Sequence, residues 1–273
     1  MTTLLNHRLE GTASGPALLL IHPLGADLRF WEDCLPAWPP CFRCLRCDLR
    51  SAGGSPRSTA PPTVADHVSD LEALRAALGL EAVVPVGCAV GSMVAAAYAA
   101  RHPERVPALV LSNPTPRTAP AARAMLAERA AAVRAGGIAA ILPGAVERAF
   151  AEQPRDARYA RYLEAFAAQD PEAYALAVLG FLDADVSAEL PRVRCPTLLV
   201  AGRHDLLLPP AQAEEVRRLL PPGAATLELD GEGAHFLPYQ RPERFAARVL
   251  GFLERALPTP AAGDGGTVRT GGG

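Results

Sequence analysis

The sequence predicts an α/β fold, with a mostly parallel sheet, helices on both faces and an inserted helical lid. Short runs that are apolar throughout alternate with segments of helical spacing, which is typical of parallel strands buried on both faces. The stretch 118–189 has no strand-like run and many alanines and arginines, which indicates helices inserted between two strands. We therefore expect a core at 1–117 and 190–258 and a helical cap at 118–189. The tail 259–273 is rich in Gly, Thr and Pro, and is predicted to be disordered.

The first part of the chain supplies four predicted strands and two predicted helices. Each strand is a short apolar run, and turn signals such as the His-Pro-Leu-Gly after 18–21 close several of them. One helix has apolar residues at helical spacing and is followed by Gly79, a residue type that commonly follows a helix end. The strands are predicted at 18–21, 42–49, 83–86 and 108–111, and the helices at 63–78 and 92–100.

The second part of the chain continues this alternation after the cap. The cap itself reads as three or four helices, within 119–135, 138–151, 155–168 and 171–182. Strands are then predicted at 197–200 and 226–229, and helices at 213–220 and 242–257. The last helix has proline in its first turn, where proline is well tolerated.

The charge balance favours a small-molecule partner over nucleic acid or a membrane. The 273 residues carry 27 basic and 29 acidic side chains, a net charge of −2. All the basic residues are arginine, which excludes a Schiff-base lysine, a P-loop lysine and a Ser–Lys dyad. The uncharged run 82–100 has the length of a membrane span, but Pro85, Gly87 and Gly91 interrupt it. We therefore expect no transmembrane helix.

The chain start and the cysteines indicate a reducing compartment. No basic segment followed by an apolar one opens the sequence, so we expect a cytoplasmic protein. The spacing of Cys41, Cys44 and Cys47 resembles part of an iron–sulfur pattern. These residues fall on a predicted strand, where positions three apart face opposite sides, and no fourth cysteine follows nearby. We therefore expect buried thiols, with no metal and no organic cofactor.

The segment 83–92 has the frame of a nucleophile elbow. It reads as a strand, then Gly-x-x-x-Gly, then a helix, as in the pattern G-x-S-x-G. Gly87 and Gly91 are the two glycines, which allow a strained turn with the strand and helix packed close behind it. The middle position, which carries the nucleophile in such elbows, is Ala89.

Over residues of about 4 to 257 the chain resembles the α/β-hydrolase family, and within it the 3-oxoadipate enol-lactonase branch. The matching segments are 22–31, 48–50, 202–205 with Pro209, 233–236 with 241–243, and the cap segment 180–196. The resemblance implies a lactone or ester hydrolase whose nucleophile–acid–histidine order maps onto Ala89, Asp205 and His235. It also implies that the backbone N–H groups of Leu24 and Val90 occupy the oxyanion-hole positions.

Ala89 departs from the pattern of that family, which has a nucleophile at this position. Alanine has no nucleophilic atom, so an acyl-enzyme at residue 89 is impossible. Cys88 is a potential nucleophile, but its side chain leaves the strand in another direction. Ser92 begins the helix, and we expect it to point away from the pocket or to cap the backbone. A frame with cysteine in the middle would need glycines at Val86 and Val90.

Five further residues are candidates for the pocket. We expect His22 to shape the oxyanion turn rather than to transfer protons, and Trp31 to pack under the lid or line it. The resemblance implies a carboxylated substrate, and arginine binds carboxylates in a planar, bidentate geometry. Arg29, Arg50 and Arg148 are the arginines considered for that contact.

Three functions remain open from the sequence. The chain could be a lactone or ester hydrolase whose serine was replaced to trap a ligand. It could be a natural nucleophile-free enzyme, in which Asp205 and His235 act as a general base on water or on a carbon acid, which would also permit lyase, isomerase, cyclase or decarboxylase chemistry. It could be a non-catalytic, receptor-like binding protein. In each case the expected partner is a small lactone, ester or carboxylic acid.

Overall fold

The computed structural model describes residues 4–11, 16–38 and 42–257, and it confirms the mostly parallel α/β architecture. Seven strands form one sheet in the order β1-β3-β2-β4-β5-β6-β7. The strands are β1 (His7–Glu10), β2 (Ala17–Ile21), β3 (Arg43–Cys47), β4 (Val83–Cys88), β5 (Leu109–Ser112), β6 (Thr197–Gly202) and β7 (Ala225–Asp230). Strands β2 to β7 pair in parallel, so their carboxyl ends lie along one edge of the sheet.

Strand β1 is the element that the sequence analysis did not predict. It runs antiparallel to β3, with His7 opposite Cys47, and it lies at the edge of the sheet. Its four residues are mostly exposed and polar. An edge strand of this kind lacks the continuous apolar run that marks the buried strands.

Helices cover both faces of the sheet and create two apolar cores. They are α1 (Val64–Ala77), α2 (Val90–Arg101), α7 (Pro210–Leu219), α8 (Leu237–Gln240) and α9 (Pro242–Ala256), with a 3-10 helical segment at Leu28–Ala37. Along β2, Leu18 and Leu20 pack into one core, while Leu19 and Ile21 pack into the other. The strand is therefore buried on both faces, as its unbroken apolar run predicts.

The two cysteines of β3 also lie on opposite faces of the sheet. Cys44 packs into one core and Cys47 into the other, so the two thiols lie on opposite faces of the strand. Burial raises the pKa of Cys44 to about 12, which keeps this thiol protonated near neutral pH. Cys41 lies outside the described residues. Among the residues that are described, no group of three or more His, Cys, Asp or Glu side chains could hold a metal ion.

The chain between β5 and β6 is helical. It contains α3 (Pro120–Gly136), α4 (Gly144–Glu147), α5 (Ala157–Ala167) and α6 (Pro171–Gly180), with 3-10 turns at Ile138–Ile141 and Arg148–Phe150. The predicted single helix at 138–151 is wrong, because the chain there forms three short turns. Pro143 stands between the first two turns, and a proline lacks the N–H that a continuous helix needs at that point.

No helix in the described part of the chain is long and apolar enough to cross a membrane. The uncharged run at 82–100 is divided between strand β4 and helix α2, which meet at Ala89. The tail 259–273, predicted to be disordered, lies outside the described residues.

Candidate active site

Ala89 joins β4 to α2 in a backbone conformation that L-residues rarely adopt, with φ 51° and ψ −118°. Its N–H donates to the carbonyl oxygen of Ser112 at 3.0 Å, which ties the turn to the neighbouring strand. A Cβ on Gly87 would lie 2.3 Å from the carbonyl oxygen of Gly91, and a Cβ on Gly91 would lie 2.5 Å from that of Ile21. The two glycines therefore permit the close packing that holds Ala89 in the sharp turn.

A cavity of about 430 Å³ lies beneath the cap, along the carboxyl edge of the sheet. Ala89 lines this space, which we call the elbow cavity, together with Leu24, Val90 and His235. Helices α3 and α5 close it with mostly apolar side chains, among them Leu126, Tyr162 and Phe166. Its position agrees with the general rule that ligands of parallel sheets bind outside the carboxyl ends of the strands.

Neither reactive neighbour of Ala89 lines the elbow cavity. The Cys88 side chain is buried behind the cavity wall, with Sγ 3.8 Å from the carbonyl oxygen of His235. Burial raises the pKa of the Cys88 thiol well above its ordinary value. The Ser92 hydroxyl is also buried and donates to the Ala89 carbonyl oxygen at 2.5 Å. The expectation that Cys88 belongs to the pocket is therefore corrected: its thiol is fully buried at the end of β4 and does not line the elbow cavity.

Asp205 and His235 form a buried hydrogen-bonded pair at the edge of the elbow cavity. Asp205 follows β6, His235 follows β7, and Nδ1 of the imidazole lies 2.9 Å from Oδ2 of the carboxylate. The other carboxylate oxygen, Oδ1, accepts the N–H groups of Leu207 and Leu208, each at 2.8 Å. Burial alone would raise the pKa of Asp205, but the charge and hydrogen bond of His235 and the two amide donors hold it below its ordinary value.

This pairing determines which imidazole nitrogen can act on a ligand. Since Nδ1 faces an ionised carboxylate, it carries a proton, and the neutral ring then has its lone pair on Nε2. His235 lines the elbow cavity, so Nε2 is the nitrogen available to a bound molecule. The arrangement is chemically able to accept a proton at Nε2 while Asp205 stabilises the resulting imidazolium.

Asn113 supports the pair, and the sequence analysis did not identify it. It follows β5 with φ 47°, and its side-chain amide donates to Oδ2 of Asp205 at 2.8 Å and to the Ala234 carbonyl oxygen at 3.1 Å. Asparagine tolerates this left-handed conformation better than most residues do. Its position directly after a strand, at the carboxyl edge of the sheet, was the signal that could have drawn attention to it.

The turn after β2 contributes Leu24 to the elbow cavity, opposite Val90 at the start of α2. As the first residue of the helix, Val90 has an N–H without an intrahelical acceptor. His22 holds the turn from behind: its Nδ1 donates to the Pro23 carbonyl oxygen at 2.8 Å and its Nε2 accepts the Leu49 N–H at 2.9 Å. Burial lowers the pKa of His22, so this ring stays neutral with both nitrogens occupied.

Two of the other predicted pocket residues lie away from the elbow cavity. Trp31 is fully buried between Phe30 and Phe245, at ring distances of 5.2 and 6.2 Å, so it belongs to the core and not to the cavity wall. Arg29 is paired with Asp27 at 2.6 Å and lines a separate surface cleft. The prediction that these two residues belong to the pocket is therefore wrong. Trp31 packs in the core, and Arg29 forms an ion pair with Asp27.

Of the other two arginines considered for a carboxylate contact, only one lines the elbow cavity. Arg50 donates from Nε to Asp70 at 2.8 Å and does not line the elbow cavity. Arg148 does line it, and so do Arg117 and Arg129, which the sequence analysis did not single out. Only the fold could identify these two, because it brings Arg117, which precedes the cap, and Arg129, which lies on α3, to the wall of the same cavity.

The comparisons with known proteins agree with this architecture. The chain matches the family profile of the alpha/beta hydrolase fold over residues 16–242. A relative from Caulobacter sp. (strain K31) that carries the name of a carbamate hydrolase, RutD, is 32% identical, with 91% of this chain and 95% of that protein covered.

Two solved structures show the same likeness in three dimensions. The enol-lactonase from Burkholderia xenovorans LB400 has a TM-score of 0.82 at 28% identity and covers 92% of this chain and 96% of that one. A thermophilic esterase from Thermogutta terrifontis, solved with malate bound, has a TM-score of 0.83 at 26% identity, with 92% and 93% covered. With a family profile that spans most of its length and a relative above 30% identity, this chain belongs to the family of the alpha/beta hydrolase fold.

Proposed function

We propose that this chain is a nucleophile-free hydrolase of small molecules, in which Asp205 and His235 activate water directly. The observation that carries the proposal is the hydrogen-bonded pair of Asp205 and His235, which is complete although the elbow residue beside it, Ala89, has only a methyl side chain. An acyl-enzyme needs a side-chain nucleophile at residue 89, whereas a general base needs only the imidazole and a water molecule.

The proposed reaction is a single displacement. Nε2 of His235 takes a proton from water, and the hydroxide oxygen forms a bond to the carbonyl carbon of the substrate. The electron pair of the C=O bond moves to the carbonyl oxygen, where the N–H groups of Leu24 and Val90 stabilise the negative charge. When the tetrahedral intermediate collapses, the bond to the leaving oxygen or nitrogen breaks, and that atom takes the proton back from His235.

The substrate class is proposed from the cavity and from the named relatives. The elbow cavity has room for a small molecule and a largely apolar wall. The relatives are named as a carbamate hydrolase, an enol-lactonase and an esterase, all of which cleave a bond at an acyl carbon. We therefore propose a small lactone, ester or carbamate as the substrate, with the enol-lactonase type favoured by the sequence resemblance.

A non-catalytic binding protein is the second candidate function. The observation in its favour is Ala89 itself, which keeps the shape of the elbow cavity but supplies no reactive atom. A binding protein of this kind would hold its ligand tightly and release it unchanged, and His235 would then have no effect on any reaction rate.

The deciding experiment compares the unmodified chain with His235→Ala and Ala89→Ser on an enol-lactone, a p-nitrophenyl ester and a p-nitrophenyl carbamate. We expect steady turnover without a burst on at least one class, and a loss of about 10²–10⁴-fold in kcat for His235→Ala. His204→Ala is the matched control, since His204 is half-buried, does not line the elbow cavity, and its ring bonds to the carbonyl oxygen of Gly231. It should leave kcat unchanged.

Two outcomes would overturn the proposal. If Ala89→Ser raises kcat by several orders of magnitude, the chain is a serine hydrolase that lacks its nucleophile. If the unmodified chain binds these compounds but exceeds the rate in buffer for none of them, the binding protein is the better account. A serine-directed fluorophosphonate, which should label the Ala89→Ser variant but not the unmodified chain, reports separately on the geometry of the elbow.

A further inference from the structure

The wall of the elbow cavity carries positive charge without a matching negative charge. Arg117, Arg129 and Arg148 line the cavity, and none of the described residues lining it is an aspartate or a glutamate. Most of the remaining wall is apolar. A half-buried cation such as Arg129 attracts an anion more strongly than a fully solvated one, because the effective dielectric constant around it is lower.

Arg117 already has protein partners. Its Nη1 lies 2.8 Å from a carboxylate oxygen of Glu215, and its Nε lies 3.6 Å from Asp185. A further donor hydrogen bond goes to the hydroxyl of Ser187 at 3.2 Å. This guanidinium is therefore neutralised at the mouth of the cavity, and it is not the strongest candidate for binding an anion.

In the part of the chain that the structure describes, no acidic side chain pairs with Arg129. Among the described residues, the arginines of α3 that form ion pairs are Arg123, with Asp183, and Arg134, with Glu172. Arg129 instead contacts the phenol of Tyr174, whose pKa is raised by burial and lowered in part by the charge and hydrogen bond of Arg129. A phenol stays neutral at ordinary pH, so the charge of Arg129 remains uncompensated.

Arg148 is exposed, and it likewise has no acidic partner within the described ranges of the chain. Its Nη1 lies 3.6 Å from Sδ of Met125, a weak acceptor without charge. Met125 and Arg129 are four residues apart on α3, so they lie on one face of that helix, and both line the elbow cavity. Arg148 therefore contacts the turn of α3 that precedes Arg129.

We infer that Arg129 and Arg148 form a carboxylate subsite, so that the molecules bound in the elbow cavity are small acids with an apolar body. Two guanidinium groups on the wall of one cavity repel each other when no described residue supplies a counter-ion, and a bound carboxylate relieves that repulsion while it accepts their N–H groups. This inference rests on the proposed function only for the location of the reacting end of the ligand.

The backbone links this subsite to the proposed general base. Ala149, the residue after Arg148, accepts the backbone N–H of His235 at 3.3 Å through its carbonyl oxygen. The same oxygen accepts the side-chain amide of Gln240 at 2.9 Å. The segment that carries Arg148 is therefore held against the loop that carries His235, which fixes the anion-binding end of the cavity relative to the reacting end.

The inference is tested by binding, without turnover. The probes are 4-phenylbutanoate and its neutral counterpart 4-phenylbutanamide, which have nearly the same shape, and calorimetry measures both affinities. We expect the acid to bind the unmodified chain at least about tenfold more tightly than the amide. Arg129→Gln and Arg148→Gln should each weaken binding of the acid by about tenfold, and the double variant should bind acid and amide equally.

The amide affinity shows that each variant is folded, since it should stay unchanged in all of them. Arg123→Gln is the matched control: it removes a charge from the same helix, but Arg123 pairs with Asp183 and does not line the elbow cavity. Equal binding of acid and amide by the unmodified chain would overturn the subsite, as would an effect of Arg123→Gln as large as that of Arg129→Gln. Failure of the acid to bind at millimolar concentration would also overturn it.

The same measurement on His235→Ala separates this inference from the proposed function. The acid should bind this variant as it binds the unmodified chain, because the imidazole takes no part in holding the carboxylate. If the preference for the acid persists while no substrate is turned over, the carboxylate subsite stands and the nucleophile-free hydrolase does not.

Discussion

Nδ1 of His235 lies 2.9 Å from Oδ2 of Asp205, and this carboxylate oxygen also accepts the side-chain amide of Asn113 at 2.8 Å. The carboxylate is thus oriented by a neighbour from another strand before it orients the imidazole. The result is a fixed tautomer, with the basic nitrogen of His235 directed away from Asp205.

Asp205→Asn should lower kcat by about 10³–10⁴-fold, because an amide at this position stabilises the wrong imidazole tautomer and no imidazolium. The measurement is kcat against pH on whichever substrate the unmodified chain hydrolyses. Asp183→Asn, which removes an exposed carboxylate paired with Arg123, should leave the rate unchanged. A loss of less than tenfold in Asp205→Asn would show that the carboxylate does not assist His235.

Asn113→Ala should have a smaller effect of the same kind. It removes the donor to Asp205 and the donor to the Ala234 carbonyl oxygen, but it leaves the carboxylate and the imidazole in place. We expect kcat to fall by about tenfold, the value of one hydrogen bond to a charged group, with KM little changed. Asn113→Asp, which cannot donate and adds a charge beside Asp205, should be worse than the alanine variant. If KM rises and kcat does not fall, Asn113 acts on ligand binding instead.

Ala89→Gly should stabilise the protein by about 1 kcal/mol. At φ 51° and ψ −118° the Cβ of Ala89 is strained, at a cost of about 1–3 kcal/mol, and glycine adopts this conformation freely. The greater freedom of glycine in the unfolded chain offsets about 0.5–1 kcal/mol of the gain. Urea unfolding gives the comparison. Ala131→Gly, in the exposed middle of α3, should destabilise by about 1 kcal/mol, so the two substitutions should have opposite signs.

Gly91→Ala should destabilise the protein by about 1–3 kcal/mol, because a Cβ there would meet the backbone oxygens of Ile21 and His22 at 2.5 and 2.7 Å. Backbone atoms of a central strand cannot move aside cheaply. Gly144→Ala is the control, since a Cβ at that residue meets nothing within 4 Å, and it should change stability by less than about 0.5 kcal/mol. Equal stabilities of the two variants would show that the sheet yields to the added methyl group.

The sequence was most informative where a physical requirement leaves few choices. Four of the parallel strands, β2, β4, β5 and β6, are buried along their whole length, which requires mostly apolar residues, so each could be predicted to within a few residues. The elbow requires two glycines around a strained turn, so its frame could be recognised although its central side chain is a methyl group. Strand β1, by contrast, is held by edge pairing alone, and its residues carry no such requirement.

The site was less predictable where it depends on contacts between distant parts of the chain. Asn113 meets Asp205 across 92 positions, and no local pattern marks an asparagine for that role. Arg129 is one of 27 arginines, and only the packing of α3 over the sheet distinguishes it from the exposed ones. Trp31 illustrates the reverse error, because this aromatic residue follows the turn after β2 that was predicted to face the ligand, yet it packs in the core.

His67 is the buried residue whose titration should control stability below neutral pH. It is 1% exposed on α1 and stacks on Phe181 at a ring distance of 5.5 Å, and neither ring nitrogen has a hydrogen-bond partner among the described residues. Burial lowers its pKa from 6.5 to about 4, and the nearby charges of His22 and Arg50 act in the same direction, whereas Asp66 opposes them.

Because the unfolded chain binds a proton at His67 before the folded chain does, the free energy of unfolding should fall as the pH drops from about 6.5 to about 4. A displacement of the pKa from 6.5 to about 4 corresponds to about 3 kcal/mol of lost stability. His67→Leu should remove that part of the slope and raise stability at pH 7, since no unpartnered nitrogen is then buried. Part of the slope should remain, because burial also lowers the pKa of His22. Urea unfolding from pH 7.5 to 4 gives the curves, with His204→Leu, at a half-buried histidine that bonds to a loop carbonyl, as control. Parallel curves for the unmodified chain and His67→Leu would mean that His67 is not the group that titrates.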